Sequence, residues 1–465
     1  MPAICCYFQI HQPYRLRRYT VFDMGQNSIY EDDDKNCDIL LRVARTCYLP
    51  MNELLHKHIR TFGKRFKVAF SISGTALDQF EQYAPEVIDS FQGLAATGCI
   101  EFLSETYNHS LAFLYSRTEF ERQVQAHADK IYTLFGQKPT VFRNTELIYN
   151  NDLAKTVEDM GYAGILAEGA DHVLGWRSPN FVYLPSNCLR LKLLLKNYQL
   201  SNDISLRFSD KNWDAWPLTA DVFASWCHAI NGEGETINLF MDYECFGETH
   251  AADTGIFHFM EALPAAVLAH PDFSFQSPTE VLQAYSPMAK VDVPQFMSWA
   301  DAEHDITAWI GNDMQQDAIE ALYALEPRVI ATGNADFIRT WQRLQSADHF
   351  YYMCTKWFAD VQARPRYTPF SSPYDAYITF MNVLADFTLN LDVAAAQDVR
   401  LALAPKTAPK KTSRPQAPKD TAKKTTKVAS KKPATEAAKT AKPKTSTPKP
   451  KSVKTKSTVQ KEAKE

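Results

Sequence analysis

Short apolar segments alternate with longer amphipathic segments through roughly the first 270 residues of the chain. Segments of the first kind are typical of buried strands, and six occur in this order: ICCYFQI (4–10), RFKVAFSIS (65–73), IEFLS (100–104), VFRNT (141–145), GILAEG (164–169) and TINLFMDYE (236–244). Segments of the second kind, such as 39–62 and 118–136, have apolar residues at helical spacing. Strands that alternate with helices predict an α/β fold with a parallel sheet, built either as a closed barrel or as an open doubly wound sheet.

The strand pattern fades near residue 290, and helical periodicity continues to about residue 395. The segments 317–333, 335–354 and 375–391 are the most regular of this part. We therefore expect a helical region that packs against the strand-containing part.

Residues 401–465 have a different composition from the rest of the chain. They contain 19 basic and 4 acidic residues and no aromatic residue, whereas residues 1–400 have a net charge of −19. Repeats of Lys, Ala, Thr and Pro cannot bury enough apolar surface to offset chain entropy, which predicts a disordered tail. Its charge suits nonspecific contact with a polyanion such as nucleic acid, while a solubilising extension or a contact with the acidic body are alternatives.

Cysteine usage and hydropathy indicate the compartment. None of the nine cysteines lies in a CxxC pair, which favours reduced thiols over a disulfide framework or a zinc site. No uninterrupted apolar run is long enough to span a membrane, and the N-terminal MPAICCYFQIHQP lacks the basic residues that begin a signal peptide. We expect a cytoplasmic protein without a membrane segment.

Polar side chains follow several of the predicted strands. His11 and Gln12 follow the first strand, Glu146 follows 141–145, and Asp242 lies at the end of 236–244. Because the carboxyl ends of parallel strands meet at one edge, these side chains are expected to converge. Two such carboxyl groups suit glycosidic bond cleavage, in which one acid protonates the leaving oxygen and the other stabilises or attacks the sugar cation. The alternative is that each acid is a solvated strand end or an ion-pair partner.

Further candidates lie within a strand or in the connections. Glu101 lies within 100–104 and His109 follows it, while Trp176, Arg177 and Trp213 lie in connections between strands. Aromatic faces provide apolar platforms for sugar rings, and Arg and His side chains can bind hydroxyl groups. For the tryptophans the alternative is simple packing.

The ordered set HQP, GCIEFLSETYNHSL, FRNTELIY, FMDYECFGETH and SWADAEHDITAWIGN resembles the five sequence regions of glycoside hydrolase family 57. The connections 173–183 and 212–226 also resemble the α-amylase branch of that family. The resemblance covers roughly residues 4–390 and leaves the basic tail unmatched.

The resemblance implies a (β/α)7 barrel, a distorted form of the TIM barrel, that acts on α-glucans with retention of configuration. By the family pattern, Glu146 is the nucleophile and Asp242 the general acid/base. His11 and Glu101 shape the subsite around the scissile bond, and the helical region adds residues to the cleft: Trp299, Asp301 and Trp309. We expect three parts: a catalytic barrel over 1–285, a helical domain over 286–400 and the tail over 401–465.

The expected reaction is α-amylase-type cleavage of α-1,4-glucosidic bonds in starch, glycogen or maltooligosaccharides. A 4-α-glucanotransferase or a branching enzyme would use the same two acids, and a non-catalytic glucan-binding protein is the alternative from another class. Retention predicts that about 5–5.5 Å separates the two carboxyl groups. Because the chain has no tight His/Asp cluster with ligand spacing, we expect no cofactor and no required metal. The oligomeric state is left open.

Overall fold

A computed structural model describes residues 2–26, 28–356 and 368–403. The strands of these residues are β1 Ala3–Ile10, β2 Val68–Ile72, β3 Ile100–Phe102, β4 Val141–Arg143, β5 Gly164–Glu168, β6 Val182–Pro185, β7 Lys192–Lys196, β8 Thr236–Asp242, β9 Ser274–Phe275 and β10 Ala289–Val291.

The helices that accompany the strands are α1 Asp33–Val43, α2 Leu49–Phe62, α3 Gly74–Tyr83, α4 Pro85–Ala96, α5 Ala112–Tyr115, α6 Arg117–Phe135, α7 Asn151–Asp159, α8 Asp171–Leu174, α9 Tyr198–Ser205, α10 Ala220–His228, α11 Ile256–Leu268 and α12 Pro278–Ala284. The helices beyond β10 are α13 Thr307–Ile310, α14 Asp313–Ala324, α15 Glu326–Ala331, α16 Ala335–Arg343, α17 Ala347–Tyr351 and α18 Pro373–Leu403.

The strands pair in two sheets. One has the order β3-β2-β1-β8, with β9 also beside β1, and all its pairs are parallel. The other has the order β10-β6-β7-β5-β4 and is mixed, because β6 runs antiparallel to β7. The α/β class is confirmed.

Hydrogen bonds join the two sheets at both edges. Arg143, at the end of β4, donates its backbone N–H to Ser104 O beyond β3 at 2.8 Å. Asn197, just after β7, donates its backbone N–H to Asn238 O of β8 at 2.9 Å. The parallel strands β1, β2, β3, β4, β5, β7 and β8 therefore follow one another around a ring, as expected for a seven-stranded barrel.

The residues of β1 show why a barrel forms. All eight are buried, as in parallel strands that are covered on both faces. Tyr7 contacts Phe240 of the neighbouring β8 and shares a buried cluster with Leu166 of β5 and Leu194 of β7, whereas Phe8 belongs to the cluster that contains the surrounding helices. The alternation of side chains along the strand thus fills the ring and attaches the helices to its outer surface.

The structure refines the sequence predictions at one helix and adds two strands. The helical stretch expected over 39–62 is confirmed, except that five π-helical residues, Ala44–Tyr48, lie between α1 and α2. The strands β6 and β7 were not predicted, and β7 belongs to the ring. By contrast, the helix expected over 118–136 is confirmed as α6, with Ser116 as its N-cap and Gly136 at a φ of 67° after its last turn.

The helices beyond β10 pack around a second core that includes Trp309, Trp341, Phe350 and Phe380. Met1–Ala404 form one compact unit. A division of this unit into a barrel and a helical domain at 285/286 remains a prediction. Helix α18 continues to Leu403, three residues into the predicted tail. The predicted disorder of the remaining tail residues, and their contact with a polyanion, concern a part that lies outside the described residues.

By length and composition, one described helix segment, Pro373–Gln397 of α18, could span a membrane. Of its most apolar window, 39% is buried inside the protein. Phe380 and Phe387 on this helix belong to the second core, and the buried Asp386 accepts a hydrogen bond from Tyr30 Oη at 2.7 Å.

Candidate active site

A cavity of about 520 Å³ lies at the carboxyl ends of the ring strands. Strand ends contribute Gln9, His11, Gln12, Glu146, Lys196, Asp242 and Glu244. Segments beyond the barrel contribute Trp299, Trp309, Asp348, Tyr351 and Tyr352. The helical region therefore forms part of the wall, and a cavity of this size and mixed polarity is typical of small-molecule and oligosaccharide sites.

Glu146 is held by two donors. It follows β4 in a left-handed backbone conformation, with φ of 56° and ψ of 26°, which costs about 1–3 kcal/mol for a residue other than glycine. Its Oε1 lies 2.8 Å from His109 Nε2, and its Oε2 accepts a hydrogen bond from Trp299 Nε1 at 2.7 Å. Both carboxylate oxygens are thus fixed in direction while the group still lines the cavity.

These partners set the charge of Glu146. Burial by itself raises the pKa of this carboxyl, but hydrogen bonding to His109, the positive charges of His109 and Arg143, and the Trp299 bond outweigh it. The net pKa lies below the ordinary 4.5. Glu146 is therefore ionised at neutral pH, as a nucleophile must be.

His109 lies behind Glu146 and is held from both sides. Its Nδ1 is 3.2 Å from Glu105 Oε2, and neither side chain is exposed. Burial lowers the pKa of His109, but its bonds to Glu105 and Glu146 raise it more, to about 9. The imidazole is then protonated and donates from both nitrogens. Burial likewise raises the pKa of Glu105, but His109 and Arg143 bring it to about 2, so this acid is ionised.

Asp242 ends β8 opposite Gln9 of β1, and its side chain is open to the cavity. Although its side chain is solvent-exposed in the cavity, protein surrounds the carboxyl group and partly buries it. This burial, with the negative charge of Glu146, raises the pKa of Asp242 from 3.8 to about 6, against smaller opposing effects of Arg143, Lys196 and His109. Asp242 can therefore hold a proton that Glu146 cannot.

His11 links the barrel to the helical region. Its Nδ1 lies 2.8 Å from Ser73 Oγ and its Nε2 lies 2.8 Å from Asp348 Oδ2 of α17. The ring stacks on His109 with centroids 3.9 Å apart. Burial and the nearby His109 lower the pKa of His11, whereas Asp348 opposes this shift.

A third acid, Glu244, also lines the cavity. It accepts a hydrogen bond from Tyr48 Oη, which in turn accepts one from Gln12 Nε2 at 3.2 Å. Burial, followed by the charge of Asp242, raises the pKa of Glu244 to about 8. This group is neutral at mildly acidic and neutral pH, so the charge around Asp242 stays low.

The structure brings half of the predicted residues to the cavity and places the others elsewhere. The cavity contains Glu146, Asp242, His11, Gln12, Trp299 and Trp309. Glu101 lies opposite Ala69 in the β2–β3 pair, and its carboxylate accepts hydrogen bonds from Thr279 N and Oγ1 at 3.0 and 2.6 Å. Its expected role at the scissile bond is therefore corrected. Asp301 is likewise outside the cavity, in an ion pair with Lys356 Nζ at 2.9 Å.

Three further candidates lie away from the cavity wall. Trp176 is 95% exposed. Arg177 donates to the backbone oxygens of Val173, Leu174 and Lys290 at 3.0–3.1 Å, which is a structural role. Trp213 packs edge-on against Trp226 at 6.2 Å and contacts the barrel's outer core. His109 was expected to bind substrate, whereas the structure places it behind Glu146, where it positions the carboxylate.

Several residues of the site were not predicted. Some of them have a recognisable sequence pattern, and one does not. Lys196 at the end of KLLLK, and Glu244 two residues beyond Asp242, have the pattern of polar residues at strand ends. Asp348 lies within a helical segment and has no local signal, because its partner His11 is 337 residues away.

No group of three or more His, Cys, Asp or Glu side chains suited to a metal ion occurs in the part of the chain that the structure describes. All nine cysteines are free thiols, and eight of them are buried.

The barrel holds two acids in one cavity, and the comparisons with known proteins give the class as a glycoside hydrolase. The model of glycosyl hydrolase family 57 matches residues 5–294, and the chain belongs to this family. A Methanocaldococcus jannaschii protein named "Putative alpha-amylase" is 38% identical over 394 residues, which cover 82% of this chain and 83% of that protein.

Solved structures show the same fold at low identity. The 4-alpha-glucanotransferase of Thermococcus litoralis is 12% identical with a TM-score of 0.62, and the match covers 83% of this chain but only 59% of that enzyme. A branching enzyme of Thermococcus kodakaraensis is 13% identical with a TM-score of 0.61, over 87% of this chain and 92% of that one. The alpha-amylase AmyC of Thermotoga maritima is 11% identical with a TM-score of 0.53, over 87% and 98%.

Proposed function

We propose that the protein is a retaining, α-amylase-type enzyme that cleaves α-1,4-glucosidic bonds of an α-glucan through a glycosyl-enzyme intermediate on Glu146. One observation carries the proposal: two carboxyl groups in one cavity have pKa values displaced in opposite directions, below 4.5 for Glu146 and to about 6 for Asp242. A double displacement needs one ionised and one protonated acid. The family membership and the alpha-amylase name of the 38% identical relative support the substrate class.

In the first step, a Glu146 oxygen attacks the anomeric carbon of the sugar and forms a carbon–oxygen bond. The bond from that carbon to the leaving oxygen breaks, and Asp242 transfers its proton to this oxygen. His109 and Trp299 hold the attacking carboxylate in place, so little orientational freedom is lost in the transition state. Asp242 is now ionised and Glu146 is esterified.

In the second step, Asp242 accepts a proton from water as the water oxygen attacks the anomeric carbon. The ester bond breaks and Glu146 leaves as a carboxylate, which His109 stabilises by its positive charge. Two inversions give net retention. If a sugar hydroxyl replaces water, the same groups transfer the glycosyl unit to another glucan, which is the reaction of a 4-α-glucanotransferase or a branching enzyme.

The experiment is to incubate maltoheptaose with the wild type, Glu146→Gln and Glu101→Gln, and to separate the products by chromatography. We expect shorter sugars only from the wild type, a loss of about 10⁴-fold or more in Glu146→Gln, and near-normal activity in Glu101→Gln. Longer as well as shorter products would assign glycosyl transfer instead of hydrolysis. An active Glu146→Gln variant would contradict the role of Glu146.

Retention itself is tested by proton NMR of the first product. The α anomer should appear first and then mutarotate, whereas initial β anomer would contradict the glycosyl-enzyme step. A wild type that binds maltoheptaose but releases no product would favour the non-catalytic glucan-binding alternative. Cytoplasmic location remains a proposal that rests on the nine free thiols.

A further inference from the structure

Among the large apolar side chains of the described residues, Trp176 is the most exposed, at 95%. A single exposed apolar residue needs no explanation by itself, so the position of Trp176 in the fold decides whether it has a role. Trp176 follows α8, which begins three residues after β5 ends. Its connection therefore lies on the same face of the barrel as the catalytic cavity.

Hydrogen bonds fix the backbone of the connection that carries Trp176. The guanidinium of Arg177, the next residue, donates three hydrogen bonds of 3.0–3.1 Å to the backbone oxygens of Leu174, Val173 and Lys290. Gly175, at a φ of 60°, permits the turn that precedes Trp176. The ring is thus presented to solvent by an ordered turn, so binding a ligand there requires little additional ordering.

Other aromatic rings lie on or against α8, the helix that directly precedes Trp176. His172 of α8 stacks on His304 with centroids 6.5 Å apart, and Tyr198 contacts His304 edge-on at 5.6 Å. Tyr198 Oη donates to Asp171 Oδ2 at 2.7 Å. His172 is exposed, and Tyr198 and His304 are partly exposed. We call Trp176, His172, Tyr198 and His304 the rim platform.

The rim platform is continuous with the cavity along two elements. His304 lies in the segment that carries Trp299, and its backbone oxygen accepts a hydrogen bond from Ser298 N at 3.0 Å. Tyr198 begins α9, and Asn202, one helical turn or about 5.4 Å further along, lines the cavity. A chain molecule that leaves the cavity past Trp299 would therefore meet the rim platform next.

We propose that the rim platform is an additional binding surface for an α-glucan, which holds glucose units that extend beyond the catalytic cavity. The proposal rests on the proposed function and deepens it, because it makes long glucan chains, rather than short maltooligosaccharides, the preferred substrate.

The chemistry of the rim platform fits an uncharged sugar chain. Aromatic faces cover the apolar faces of pyranose rings, while the imidazole nitrogens, the Tyr198 hydroxyl and the Asp171 carboxylate can bind sugar hydroxyls. Asp171 and the neighbouring Arg177 have opposite charges, so a strongly charged partner gains little there.

The test is made in the inactive Glu146→Gln background, so that binding is measured without turnover. Dissociation constants for long-chain amylose and for maltopentaose are measured by isothermal titration calorimetry. We expect Trp176→Ala to raise the ratio of the amylose to the maltopentaose constant about tenfold. The matched control is Tyr132→Ala, which removes an aromatic ring that is 63% exposed on the outer helix α6 and should leave the ratio unchanged.

The outcomes separate the two proposals. If the parent variant binds both glucans and Trp176→Ala leaves the ratio unchanged, or weakens both by the same factor, the rim platform is refuted while the proposed function stands. If His172→Ala added to Trp176→Ala raises the ratio further, the platform is supported. If the parent binds neither glucan and the wild type cleaves neither, the proposed function fails, and the platform with it.

Discussion

The ends of β4 and β8 each place one carboxyl group in the same cavity, and the two groups have different surroundings. Glu146 has a hydrogen bond on each oxygen and a charged imidazole at 2.8 Å. Asp242 is more exposed than Glu146 and is also partly surrounded by protein, and its strongest charged influence is the carboxylate of Glu146. Burial raises both pKa values, so the donors around Glu146 decide which acid is ionised.

The roles of two similar side chains therefore depend on the charged and polar groups around them. Glu105 reaches Glu146 only through His109, yet it fixes the charge of that imidazole. Glu244, which lies near Asp242, remains neutral at neutral pH and adds no negative charge there. Each role should therefore change when these neighbours are altered.

After Glu146→Gln, the largest effect is expected from Asp242→Asn. Loss of the proton donor should lower kcat on maltoheptaose about 10²–10⁴-fold. An aryl maltoside has a leaving group that needs no proton, so the first step should lose much less on that substrate. Burst kinetics with the aryl maltoside would measure this step, and an equal loss of the first step on both substrates would contradict the acid role.

The pH profile provides the control for this variant. Because Asp242 must be protonated and its pKa is about 6, kcat/KM of the wild type on maltoheptaose should fall as the pH rises through about 6. On the aryl maltoside, Asp242→Asn should lack this decline. A decline that persists in the variant would assign the titration to another group.

A smaller loss, about 10- to 100-fold in kcat, is expected from His109→Asn. Asparagine tolerates the φ of 51° at this position but removes the positive charge beside Glu146. The pKa of Glu146 should rise, so the acidic limb of kcat/KM should move to higher pH. Should the limb stay in place while kcat falls, the role of His109 would be purely structural.

The smallest effect concerns stability and Glu244. Its pKa is raised from 4.5 to about 8 in the folded protein, so the folded state binds more protons than the unfolded state between these values. This contribution to stability is complete below about pH 4.5 and is lost as the pH rises through 8. Urea unfolding at pH 5 and pH 8 should therefore show a smaller difference in the free energy of unfolding for Glu244→Gln than for the wild type. Equal differences would contradict the raised pKa.

The sequence predicted most of the ring because its strands are continuous apolar runs between clear helices. It missed β7, since KLLLK is short and has lysine at both ends, and Lys196 was missed with it. Glu101 was misplaced because β3 has only three residues, so Glu105, four residues later, reaches the carboxyl end instead.

The contribution of the helical region could not be predicted locally. The pattern around Asp348 indicates a helix, but only tertiary packing brings its carboxylate to His11. The opposite pKa shifts of Glu146 and Asp242 follow from distances among residues of several strands. Periodicity predicts where a side chain lies along an element, whereas these distances depend on how the elements pack.

The contact between His11 and Asp348 joins positions 337 residues apart, near opposite ends of the described chain. Contacts of such separation form late in folding, because the intervening segments must first be ordered. During refolding, helix content should thus recover before catalysis does. The recovery of catalytic activity would then report when the helical region docks on the barrel, and circular dichroism would report the earlier formation of helices.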